Sequence, residues 1–157
     1  MAEKLMALMK EHGITLKFWD FQPPIEAVFY CYPGKTPVIG IDSKIKNEKK
    51  HFRCVLAEEL GHFFTTDRGS IVSHYQVRDR INFCQQEYKA LEWAVNFLLP
   101  DPEFEHAVLT MPPWKLEDYF QVDSEFIAFK LKLKKDQLLQ AIPGSSPILP
   151  GKSLPAR

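Results

Sequence analysis

Long apolar runs are missing from this 157-residue sequence. The opening stretch, MAEKLMALMKEH, carries charges every few positions and so lacks the uninterrupted apolar segment of a signal peptide. No later run is long enough to span a bilayer. Net charge is missing as well. The 20 Lys and Arg balance the 20 Asp and Glu, so no global field draws the chain toward nucleic acid or an anionic membrane. Cysteine is scarce. Cys31, Cys54 and Cys84 are widely spaced and form no C-x-x-C pair, which favours reduced thiols in a cytoplasmic protein over a disulfide framework. No internal repeat is visible. What is present is a 45% hydrophobic composition, suited to one globular domain with a sizeable core.

The hydrophobic period changes along the chain. Residues 2–12 read as a short amphipathic helix through Leu5, Leu8, Met9 and His12, with Gly13 as its stop. Ile14, Leu16 and Phe18 then alternate with polar residues as a half-buried strand does, until Pro23-Pro24. Residues 26–32 and 36–41 are rich in strand formers and flank Pro33-Gly34, which predicts a hairpin. Helices are predicted over about 51–65 and about 85–99, the second ending at Pro100. The stretch of about twenty residues between them is long for a simple connector, so it is functional or hides a strand. Residues 101–138 read as helical with a break at Pro112-Pro113, and 139–157 as a disordered tail rich in Pro, Gly and Ser. The expected organisation is a core over 1–100, a helical segment of the same domain over 101–138, and the tail.

The chemistry concentrates in Glu58-Glu59-Leu60-Gly61-His62. The zinc-protease helix motif H-E-x-x-H places two histidines at i and i+4 on one face, with a glutamate base beside them. Here a glutamate occupies the first histidine position. On a helical wheel, Phe52, Val55, Leu56, Leu60 and Phe63 form an apolar arc, with Glu58 and His62 together at its edge. Glu59 falls inside the arc, where a carboxylate is costly to bury without a charge partner or hydrogen bonds. A base facing an activated water meets that need, and so does a structural salt bridge to Lys or Arg. Gly61 removes a side chain where a strand or substrate can approach closely. On the second helix, Glu87 shares an inward face with Ala90, Leu91, Ala94 and Leu98. Glu58, His62 and Glu87 together make a three-ligand set of the kind open catalytic zinc sites use.

The residues Leu56-Ala57-Glu58-Glu59-Leu60-Gly61-His62-Phe63-Phe64-Thr65-Thr66, then Gln86-Glu87-Tyr88-Lys89-Ala90, Trp93-Ala94 and Leu98-Leu99-Pro100, resemble the ImmA/IrrE family of metallopeptidases. Leu116, Tyr119, Phe120, Val122 and Phe126 resemble its small C-terminal helical segment. The resemblance spans about residues 15–135. It implies an α+β, zincin-like fold with a small twisted sheet packed on the motif helix. It also implies Glu59 as catalytic base, His62 and Glu87 as metal ligands, and Glu58 at the first ligand position. The implied cofactor is a divalent metal, zinc first, with manganese or no metal as alternatives. The implied activity is hydrolysis of a repressor-type protein partner, in a phage or mobile-element setting. The alternative is a pseudoenzyme that binds the same class of partner without cutting it.

Glu58 alters the expected chemistry. Two carboxylates and one imidazole neutralise a divalent ion, which leaves less Lewis acidity and shifts preference toward harder ions such as manganese. His51 projects near the same helix edge, but at nearly three turns from His62 the two do not reach one ion. Cys54 reads as a small core residue. His74 and Tyr75 are candidates for hydrogen bonding to a tetrahedral intermediate, with a surface or packing role as the plainer reading. His106 near Glu103 reads as a solvated helix pair. Lys130, Lys132, Lys134 and Lys135 alternate with Phe129, Leu131 and Leu133, which argues for an amphipathic helix with a solvated face rather than a DNA-binding surface.

Overall fold

The structure, a computed structural model, describes residues 3–65, the backbone of 71–75, and residues 85–141. Helix α1 (Glu3–Glu11) buries Leu5 and Met9. It ends in a Schellman arrangement: Gly13 takes φ +65°, and the Ile14 amide donates to Met9 O at 2.8 Å. Strands β1 (Thr15–Trp19), β2 (Ile25–Tyr30), β3 (Val38–Asp42) and β4 (Ile71–Tyr75) form one sheet in the order β1-β3-β2-β4. β1 pairs with β3 in parallel, while β2 pairs antiparallel with both β3 and β4. The predicted β2–β3 hairpin is present. Its Tyr32–Lys35 turn is closed by Lys35 N–H to Tyr32 O at 3.0 Å, with Pro33 and then Gly34 (φ +77°) in the middle, the residues a type II turn requires. β4 is the strand hidden in the long connection.

A 3₁₀ turn (Ser43–Asn47), capped by the Asp42 carboxylate accepting from Lys44 N–H at 2.8 Å, leads into α2 (Lys49–Thr65). Then come α3 (Gln85–Leu98), α4 (Asp101–Thr110), a 3₁₀ turn (Pro113–Lys115), α5 (Leu116–Phe120) and α6 (Ser124–Ala141). The break at Pro112-Pro113 falls where a ring without N–H ends a helix. Helix α6 runs three residues into the stretch expected as tail, and residues 142–157 lie outside the described residues.

One expectation changes in kind. α2 does not present a single apolar arc to a core: every residue from Arg53 to His62 is buried. It packs against β2 and β3, against α1, and most extensively against α3. Burial on all sides forces its polar residues to find partners inside the protein. The core joins sheet and helices continuously, from Leu5, Ile39 and Ile41 through Leu56 and Leu60 to Leu99 and Phe104. Among the described residues no helix is long and apolar enough to cross a membrane.

Candidate active site

Helix α2 carries Glu58, Glu59 and His62 into the interior, at 5%, 1% and 0% exposure. Both Glu59 carboxylate oxygens and His62 Nε2 are shut off from solvent. Helix α3 brings Glu87 to the same place, with its Oε2 3.4 Å from His62 Nε2. The approach depends on Gly61. A Cβ there would collide with the Ala90 carbonyl oxygen and stand 2.8 Å from its carbonyl carbon. The close approach expected at Gly61 is therefore made by helix α3, not by a strand or a substrate. Ala90 lies one turn beyond Glu87, and Gly61 adjoins His62, so this backbone contact sets the spacing of the His62–Glu87 pair.

Two donor atoms bound to one tetrahedral zinc at about 2.0–2.2 Å stand roughly 3.4 Å apart. The His62–Glu87 separation has that value, so the pair fits two positions of one ion. The full expected set is not gathered: among the described residues, no three or more His, Cys, Asp and Glu side chains converge as a group able to hold a metal. Glu58 is buried one turn from His62 but does not complete such a group with His62 and Glu87.

His51 is engaged elsewhere. Its Nδ1 lies 2.7 Å from Asp123 Oδ2 and its Nε2 3.4 Å from Glu26 Oε2. The hydrogen bond to Asp123, and next that to Glu26, push its pKa up to about 10. His51 is thus a clamp between β2, α2 and the α5–α6 turn. Sequence reasoning flagged the residue but not this role, because its partners lie 25 residues before it and 72 after it. Cys54 is buried as expected, and its Sγ accepts from Asp123 N–H at 3.3 Å. Burial pushes the thiol's pKa up. Arg53 donates through Nη1 to the carbonyl oxygens of Phe120 and of Gln121, the latter at 2.9 Å. Gln121 holds the left-handed conformation (φ 53°) that caps α5.

The lysine run departs from its expected form. Lys130 is 1% exposed, not solvated. Its ammonium donates to Asp101 and, at 2.7 Å, to Asn96 Oδ1. Lys134 pairs with Asp101 at 2.6 Å and Glu105 at 2.8 Å. Only Lys132 and Lys135 of the four are exposed, which leaves two lysines rather than four for a solvated basic face. His74 and Tyr75 lie on the edge strand β4, His74 opposite Ala27, with side chains outside the described residues. His106 and Glu103 are both exposed.

A small mixed sheet packed on a buried helix that bears an E-x-x-H pair, with a second helix supplying a carboxylate across a glycine contact, defines a zincin-like peptidase architecture. The model of the M78 peptidase family, the IrrE N-terminal-like domain, matches residues 9–132, and the chain belongs to that family. The match runs from the last turn of α1 to the middle of α6 and confirms the family resemblance read from the motif residues. Comparison with curated proteins finds no match.

Proposed function

We propose that this chain is a metal-dependent peptidase of the ImmA/IrrE type. In this reading its substrate is a repressor-type protein in the cytoplasm, in a phage or mobile-element setting. The observation that carries the reading is the burial of Glu59 and His62 on α2, with the partly exposed Glu87 of α3 placing its carboxylate beside His62 at the spacing of two ligands. His62 and Glu87 would hold a divalent ion, zinc first and manganese next, with Glu58 at the first ligand position of the motif. When bound, the ion supplies Lewis acidity at the scissile carbonyl. Glu59 accepts the proton of the attacking water and delivers it to the leaving amine. Its sequestration from bulk solvent keeps that proton transfer local. The buried thiols of Cys31 and Cys54, both free, accord with a reducing compartment. Cleavage of a repressor-type partner that is lost in Glu59→Gln supports this reading; equal cleavage by Glu59→Gln overturns it.

A second reading, the non-cutting partner binder, is favoured by a specific observation. The first ligand position holds Glu58, a carboxylate where the H-E-x-x-H motif has an imidazole, which weakens zinc binding and water activation. In that case purified protein lacks stoichiometric metal, and Glu59→Gln regulates the partner as well as the parent chain does. The DNA-binding reading loses its footing with the burial of Lys130.

A further inference from the structure

The face of the sheet turned away from α2 carries a groove of about 390 Å³. The Trp19 ring packs against Gly40, where an added Cβ would stand 2.9 Å from the indole. Phe21, packed 6.2 Å from Trp19, and Tyr30 make the other aromatic walls, and Val28 lies in the floor. Trp19 is 48% exposed and Tyr30 36%. Asp20 and Lys17 stand at the rim. The backbone groups beneath the groove are consumed by the β1–β3 and β3–β2 ladders. An ordinary peptide laid there would bury amide N–H groups without acceptors. A proline-containing one has fewer such groups, and an extended polyproline-type conformation packs between aromatic rings at small entropic cost.

The sequence contains such a segment. Beyond Ala141 it reads IPGSSPILPGKSLPAR, with Pro147-Ile148-Leu149-Pro150 in the P-x-x-P pattern and Lys152 two residues later. That lysine complements the carboxylate of Asp20 at the groove rim. Pro150 lies nine positions beyond Ala141, roughly 30 Å when extended, comparable with the width of a domain of this size.

We propose that the Pro147–Lys152 stretch docks, in its own chain, into the aromatic groove of Trp19, Phe21 and Tyr30. The ring walls receive Pro147 and Pro150, and Asp20 receives Lys152. The test uses the full chain with its three tryptophans replaced biosynthetically by fluorotryptophan. Fluorine NMR reads each indole, and Trp19→Phe assigns the Trp19 signal. The expected result is a Trp19 signal that shifts when Pro147→Ala and Pro150→Ala are combined, while the Trp93 and Trp114 signals stay in place. A synthetic peptide of residues 142–157, titrated into that variant, returns the Trp19 signal saturably to its parent position, and a peptide carrying Lys152→Glu does so more weakly. A Trp19 signal identical in parent and double variant, and unmoved by peptide, overturns the proposal. A parent signal that changes on dilution assigns the groove to a second copy and overturns docking within one chain.

Discussion

Gly61 and Ala90 are in backbone contact, and the Ala90 carbonyl fills the space a side chain at position 61 would take. The crossing of α2 and α3 is thereby fixed beside His62, and Glu87 is delivered one turn away. Gly61→Ala leaves no flexible neighbour to give way, since the obstacle is backbone. It should destabilise the protein by about 1–3 kcal/mol, the range for overpacked cores, read as a lower denaturant midpoint. Any metal binding by the His62–Glu87 pair should weaken in parallel.

Substitution of the first motif position tests the ligand set directly. Glu58→His replaces a carboxylate with the imidazole that the H-E-x-x-H pattern places there. Zinc affinity should rise by at least about tenfold, the scale of about 1.4 kcal/mol, in calorimetric titration, with elemental analysis showing more retained zinc. An unchanged affinity would show that position 58 does not face the ion.

His51 gives stability a pH signature. Its folded pKa of about 10 exceeds the ordinary 6.5, so folding favours the protonated ring. The contribution is complete below about pH 6.5 and declines as pH rises toward 10. Denaturation midpoints should fall across that window in the parent chain. In His51→Gln the slope should be flatter, with lower stability at neutral pH.

The buried ammonium of Lys130 depends on Asp101 and Asn96. Asp101→Ala strands that charge and should destabilise by about 3 kcal/mol, whereas Lys130→Met keeps the stem and removes the charge, at about 1 kcal/mol or less. Thermal melts of the two variants rank them. The opposite ranking would mean that the half-exposed Asp101 contributes little.

Features carried by local pattern were legible in the sequence. Strand alternation around Leu16 and Phe18, the Pro33-Gly34 turn, the break at Pro112-Pro113 and the inward placing of Glu59 each depend on residues within one turn or one strand. β4 showed only as excess length between two helices. Gly61 announced a close approach but not its partner, because Ala90 lies on another helix. Lys130 was misread for the same reason: a lysine in an alternating run looks solvated until Asp101, 29 residues earlier, is seen to neutralise it. His51, Arg53 and Cys54 have their partners near residues 118–123, and no periodicity reports a contact at that separation.

Those contacts have a mechanical consequence. The first turns of α2 grip the α5–α6 turn through Lys50–Asp118, His51–Asp123, the Arg53 guanidinium and Cys54 Sγ, while its far end holds His62. Eleven residues of continuous helix separate the two ends, about 16 Å at 1.5 Å per residue. A helix buried along that length is a stiff link between the α5–α6 turn and His62. A protein that pulled on the α5–α6 turn would reach His62 at a distance, without entering the candidate site.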